Sequence, residues 1–226
     1  MNQIHLDEEL QSLKSNLAIM AGEVERMLEL TRDCYAKRDV SLGKQVIELD
    51  RSIDNHELNL ERACFNILAL RAPFATDLRI VASTLKIVSE LERIGDHSVN
   101  ISNRFTQLVI EPSTLDDKWI NEIGTEAIRL VKTSFDSFLS NDVAQARSVI
   151  KDDDIVDKLY VNTYDELLRV MHKDPTAIER ASKLILIIKN WERVADQATN
   201  IAEEVIFMVE GHIAKHSYLD RGHDHA

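Results

Sequence analysis

Leu91-Glu92-Arg93-Ile94-Gly95-Asp96-His97-Ser98-Val99-Asn100-Ile101 is a phrase that the chain uses twice. It returns as Trp191-Glu192-Arg193-Val194-Ala195-Asp196-Gln197-Ala198-Thr199-Asn200-Ile201. Glu, Arg, Asp, Asn and Ile recur at the same places. On a helix, residues four apart share a face, one turn above the other. Glu and Asp therefore point the same way, with Asn one turn further on. Each copy is a row of oxygen ligands on a helix face.

Working outward, apolar residues recur at three and four on both sides of the phrase, which is the period of a helix. Leu6, Leu10, Leu13, Leu17, Met20, Val24, Met27 and Leu28 predict a first helix over 6–38. Arg38-Asp39 interrupts it, and Asp39 suits the cap of the next. The second helix is expected over 40–70, with Leu42, Val46, Leu49, Ile53, Leu60 and Cys64 inward. Pro73 marks a turn. The third helix, over 75–110, carries the phrase and reaches about 50 Å at 1.5 Å per residue. Glu111-Pro112-Ser113-Thr114 stops it.

The second half retraces the first, with helices expected over 117–140, 143–172 and 176–210. Asn141-Asp142-Val143 stands 103 positions after Arg38-Asp39-Val40, Val149-Ile150 answers Val46-Ile47, and Pro175 answers Pro73. The offset falls to 100 at the phrase, so one turn between helices is shorter in the second copy. The expected fold is all-α: six long helices in two tandem, similar three-helix bundles. Residues 1–112 form the first, 113–211 the second, and 212–226 a polar, His-containing tail.

Composition agrees. Six Gly, three Pro and 5% aromatics leave little material for turns and sheet faces. A net charge of −12 disfavours nucleic acid and bare anionic membrane, and suits metal cations or a basic protein surface. Cys34 and Cys64 fall in helical patterns without a CxxC pair, and are expected as packed free thiols. The longest apolar run, Leu184 to Ile188, is far short of the ~20 residues of a membrane span. The acidic Met1–Leu10 lacks the apolar core of a signal peptide. A soluble, cytoplasmic protein without membrane insertion is expected.

On a wheel of helix three, Glu92 and Asp96 fall within an apolar stripe formed by Leu78, Val81, Leu85, Val88 and Val99. A second stripe holds Ile80, Ile87, Leu91, Ile94, Ile101 and Phe105. Arg79, Lys86, Glu90, Arg93 and His97 make the side expected to face solvent. Acids on an apolar row need a cation, a basic partner, or a groove where the row emerges into water. Asp50 and Asp54 form a matching row on helix two, followed by Glu57 and Glu61. Asp153 and Asp157 repeat it 103 positions later. Antiparallel pairing of the helices joins Asp50, Asp54, Glu92 and Asp96 in one copy. It joins Asp153, Asp157, Glu192 and Asp196 in the other. Such carboxylates repel unless a multivalent cation sits between them, and Mg²⁺, Mn²⁺ or iron accepts an oxygen cage. Internal salt bridges through Arg93 and Arg193 remain the alternative.

At these residues the chain resembles the PhoU family of bacterial phosphate-transport regulators, over nearly its whole length. Ala75-Thr76-Asp77-Leu78-Arg79-Ile80 with Leu91 to His97 carries the likeness in the first copy. Glu192 to Asp196 with Asn200-Ile201-Ala202-Glu203-Glu204 carries it in the second. The resemblance implies two similar three-helix bundles and no enzyme activity. It implies metal at Asp50/Asp54, Glu92/Asp96, Asp153/Asp157 and Glu192/Asp196: iron, in multinuclear clusters, with magnesium, manganese or zinc as alternatives. It also implies negative regulation of phosphate uptake and starvation signalling, by contact with the phosphate ABC transporter subunits and a sensor histidine kinase. A homodimer is expected. Gln197 in place of His97, and Trp191 in place of Leu91, depart from the pattern, so the two sites need not bind metal equally. The second copy has only Ile178-Glu179-Arg180 for Asp-Leu-Arg.

Other features are weaker. His212 and His216 are four apart and could meet a transition metal on a helix, with His223 and His225 beyond. His97 is expected exposed or capping. The rival readings are a metal-free helical scaffold for another transporter and a di-metal carboxylate protein. The latter wants Glu-x-x-His pairs, absent from helices two, three, five and six.

Overall fold

The computed structural model describes residues 2–108 and 118–212, with side chains from residue 5 onward. Six long helices fill them: α1 Asn2–Ala36, α2 Val40–Arg71, α3 Ala75–Leu108, α4 Lys118–Ser140, α5 Val143–Lys173 and α6 Ile178–Glu210. No strand occurs among the described residues. The stop at Glu111-Pro112 and the histidines beyond His212 lie outside them.

The two copies begin their second helix with the same device. Asp39 Oδ1 accepts from Ser41 N–H at 2.9 Å, and Asp142 Oδ1 from Gln145 N–H at 3.0 Å. Each satisfies a first-turn amide that has no helical partner. The residue before each cap is left-handed, Arg38 at φ 53° and Asn141 at φ 55°. The α2–α3 link needs Ala72 to Phe74, whereas Asp174 alone separates α5 from a 3₁₀ turn, Pro175–Ala177, that leads into α6. The second link is therefore not the shorter one that was expected: α3 starts 16 residues before Leu91 and α6 starts 13 before Trp191, so the change of offset falls in the opening of α6. The 3₁₀ turn moves the start of α6 two residues past the expected position.

Each copy is a three-helix bundle, but the two do not have separate cores. One continuous apolar cluster runs from Leu6 to Met208. Among the described residues, α3 packs more closely on α6 than any other pair of helices, and α1 also meets α4. α3 and α6 run antiparallel, as their bonds show. Arg79 reaches Met208 O at 3.1 Å, Lys86 reaches Glu204 Oε1 at 2.8 Å, Asn200 reaches Glu90 at 3.2 Å, and Arg180 reaches Leu108 O at 3.3 Å. The arginines form a reciprocal clasp. Each sits near the start of one long helix and binds a last-turn carbonyl of the other, where the helix leaves its acceptors free.

Of the residues expected to face solvent, Lys86 and Arg93 are exposed, Lys86 reaching across to Glu204 as well, whereas Arg79, Glu90 and His97 are partly covered in this seam. A polar stripe reads as solvated when its polar partners lie a hundred residues away. Leu78, expected inward, is 44% exposed beside the exposed Phe74, because the α2–α3 turn is an open end of the bundle. Leu42 and Leu49 are only partly covered. Cys34 and Cys64 are buried free thiols. Burial pushes the Cys64 thiol up to about 12, so it is packing material and no nucleophile.

Trp191 shows how the copies differ and still fit. The indole is buried, and a Cβ on Gly124 of α4 would stand 3.0 Å from it. The equivalent pair in the first copy is Leu91 and Ala21. The larger side chain on one helix is matched by the smaller on its neighbour.

Candidate functional site: two carboxylate grooves flanking a basic seam

In the first copy, α2 and α3 bring the predicted acids together. The Glu92 carboxyl is pushed up to about 7, first by burial and then by Asp96, Glu57, Asp54 and Asp50. Asp50 is raised by burial, then by Asp54 and Asp96. Glu57 is raised by burial, then by Glu61, Asp54 and Asp96. Asp50 Oδ1 lies against the α3 backbone, where a Cβ on Gly95 would stand 3.7 Å away. Burial and like charge both oppose ionisation, and no basic side chain offsets them at these three groups.

The second copy assembles the same groups between α5 and α6. Asp153 is pushed up to about 7 by burial, then by Asp157, Asp196, Glu192 and Asp154. Asp196 is pushed up to about 6 by burial and Glu192, against the pull of Lys189 and Arg193. Asp153 Oδ1 is buried and accepts no hydrogen bond. An acceptor in that state is a standing cost unless a cation or donor meets it.

The placement differs from the wheel in one respect. None of the eight predicted acids is buried outright: Asp54, Asp96 and Asp157 are exposed, and the rest are partly covered. The apolar row emerges at the rim of a groove, so water reaches the outer carboxylates. The donors are hard oxygens, as a hard cation wants, and Asp153 offers an unmet acceptor. Among the described residues, however, no group of three or more His, Cys, Asp or Glu is already set to hold an ion. The grooves supply donor type and field; the exposed carboxylates must turn inward to close a coordination shell.

Between the grooves, on the seam of α3 and α6, lies a cavity of about 430 Å³ lined by Arg93, Asp96, His97, Lys189, Arg193, Asp196 and Gln197. One acid from each groove thus borders a shared, arginine-bearing hollow. Arg93 approaches Glu90 at 3.9 Å, so the internal salt-bridge alternative takes that arginine away from Glu92 and Asp96. His97 is half-buried and donates through Nδ1 to Asn190 Oδ1 at 3.1 Å. Burial first, with the charges of Arg193 and Arg93 adding to it and Asn190 and Asp96 opposing, holds its imidazole below the usual histidine range. It is neither exposed nor capping: it ties one copy to the other. His212, the described member of the tail pair, is exposed and lies 3.3 Å from Glu210.

Two residues in the grooves escaped the sequence reading. Lys189 Nζ donates to both oxygens of Glu192, at 2.6 and 2.7 Å, and lies 5.2 Å above the Tyr160 ring. The signal was available at the equivalent positions, Ser89 and Glu57, where the copies disagree. A search for what the copies share passes over what they do not.

The PhoU domain profile matches residues 17–105 and again 120–205. A "phosphate-specific transport system accessory protein PhoU homolog" of Pseudomonas aeruginosa is 36% identical over 214 residues, covering 94% of this chain and 88% of the relative. The corresponding Aquifex aeolicus protein is 37% identical over 214 residues, covering 95% and 97%. The crystal structure of PhoU from P. aeruginosa superposes with a TM-score of 0.88 at 36% identity, over 91% of this chain and 99% of that one. That of the phosphate transport system regulatory protein PhoU from Streptococcus pneumoniae gives 0.85 at 25% identity, over 92% and 98%.

Proposed function

This chain belongs to the PhoU family, and from that premise we propose that it is a metal-binding accessory regulator of a phosphate transport system. It acts by contact, restraining phosphate uptake and starvation signalling when phosphate is ample. Its partners are the phosphate ABC transporter subunits and the sensor histidine kinase, met from the cytoplasmic side. No described helix is long and apolar enough to cross a membrane, so the contact is made on the partners' exposed surfaces. The working unit is a homodimer.

The observation that carries the metal reading is the convergence of the predicted acids in each groove, where Asp153 Oδ1 is buried without a hydrogen bond and where burial, then like charge, oppose ionisation. A site that binds protons against its own charge binds a multivalent cation for the same reason. Asp50, Asp54, Glu92 and Asp96 would hold ions in the first groove, and Asp153, Asp157, Glu192 and Asp196 in the second. Iron, in multinuclear clusters, is the favoured ion; magnesium, manganese and zinc suit the donors less specifically. A bound ion removes the repulsion and fixes α2 on α3, and α5 on α6, which stiffens the surface offered to a partner.

The second reading, a metal-free scaffold, is favoured by one observation: no ready-made ion cage exists among the described residues. On that reading the outer acids grip basic residues of a partner. The physiological test is phosphate uptake in cells lacking this chain. Uptake in ample phosphate should rise and fall back on re-expression; unchanged uptake would count against regulation of this transporter. Re-expression of Asp54→Ala/Asp96→Ala separates the two readings when chelator-treated wild-type and variant proteins are compared for transporter capture.

A further inference from the structure

The two copies disagree at linked positions. Glu57 of α2 corresponds to Tyr160 of α5, and Ser89 of α3 to Lys189 of α6. These two exchanges take one carboxylate from the second groove and add one ammonium; Tyr164 in place of Glu61 removes another carboxylate, and Asp154 in place of Arg51 restores one. The first two exchanges meet in space. The ammonium that replaces Ser89 lies over the ring that replaces Glu57, 5.2 Å from its centroid. It donates to both oxygens of Glu192, at 2.6 and 2.7 Å. An i,i+3 Lys–Glu pair on an exposed helix is commonplace and weak. What distinguishes this one is the aromatic platform beneath it and its acceptor, a predicted metal ligand that is only 14% exposed. A cation held from both sides in this way is worth more than a rim pair.

We propose that Lys189 is a built-in cation that occupies the Glu192 end of the second groove, so that the first groove is the tight metal site and the second binds only by displacing the lysine. This rests on the metal reading above and adds an order of filling to it. Nothing in the first groove plays the part of Lys189: Ser89 has no charge, and Glu57 adds an acid to the field at Glu92. Among the described residues, an ion entering there meets no basic side chain acting on Asp50, Glu57 or Glu92. An ion entering the second groove must also break two short bonds and a cation–π contact. Asp153, deep in the groove with its unmet oxygen, remains available to such an ion.

The test uses the full chain, freed of metal and titrated with Mn²⁺, with free ion followed by electron paramagnetic resonance. Two affinity classes are expected, the tight one lost in Asp50→Ala and the weak one in Asp153→Ala. Lys189→Ala should tighten the weak class at least about tenfold and leave the tight class alone. The mirror variant, Glu57→Tyr/Ser89→Lys, should weaken the tight class by a similar factor. The mirror variant lies at partly covered and exposed positions, so it reads the same claim without disturbing the second groove. Two classes that ignore Lys189→Ala, or a tight class lost in Asp153→Ala, would overturn the order of filling alone. Absence of Mn²⁺ binding by both wild type and Lys189→Ala would overturn the metal reading and the order with it.

Discussion

Glu92 and Asp153 hold their protons up to about neutral pH in the metal-free chain, and that has a consequence for stability. Their folded values lie above the unfolded ones, near 4. The folded state therefore binds more protons than the unfolded state between about pH 4 and 7, and stability falls as pH rises through that window. Asp50, Glu57, Asp157 and Asp196 add to it in the same direction. Metal-free protein should melt higher at pH 5 than at pH 8, as measured by calorimetry in chelator. A saturating divalent ion should remove or reverse the difference, and equal melting temperatures without metal would show that the acids do not share a field. Arg38 makes a second residue-scale prediction. Its left-handed backbone is borne by asparagine at the equivalent Asn141. Arg38→Asn should stabilise by about 0.5–1 kcal/mol, measured by denaturant unfolding. The eight acids themselves were legible because a duplicate repeats them at fixed spacing. Lys189 and Tyr160 were not, because each is unremarkable until seen touching the other.

At the scale of elements, the helices were written in period and punctuation. Asp39, Asp142, Pro73 and Pro175 mark their ends, and the buried positions of α1 follow the three-four spacing from Leu6 to Leu28. What periodicity cannot give is which polar stripe faces water. Arg79, Glu90 and His97 look solvated on a wheel and are spent on α6. The α4–α6 contact shows where helix pairs are sensitive. Gly124→Ala should destabilise by about 1–3 kcal/mol through overpacking on Trp191, less the gain in helix propensity. In a Trp191→Leu background the same change should stabilise. A double-mutant cycle by denaturant unfolding measures the coupling, and additive effects would refute the proposed fit. Arg180 is buried in its clasp with Leu108 and Tyr35. Arg180→Ala should cost roughly 2–4 kcal/mol, by loss of packing and of a carbonyl's partner.

The whole molecule is a duplication closed upon itself. α3 and α6 cross at the repeated phrase, so both carboxylate grooves border one hollow, with Asp96 and Asp196 on its wall. Because one apolar cluster spans both copies, heat should unfold the metal-free chain in a single calorimetric transition; two resolved transitions would mean that the bundles are independent. The duplication was plain in the sequence, but the sharing of a core was not, since equivalence says nothing about docking. The central claim is that the grooves exist to hold cations. It is tested most directly by metal content after loading with Mn²⁺ and removal of free ion, comparing wild type with Asp50→Ala/Asp96→Ala/Asp153→Ala/Asp196→Ala at unchanged helicity. Wild type should retain metal and the fourfold variant none; equal retention by both would contradict the claim.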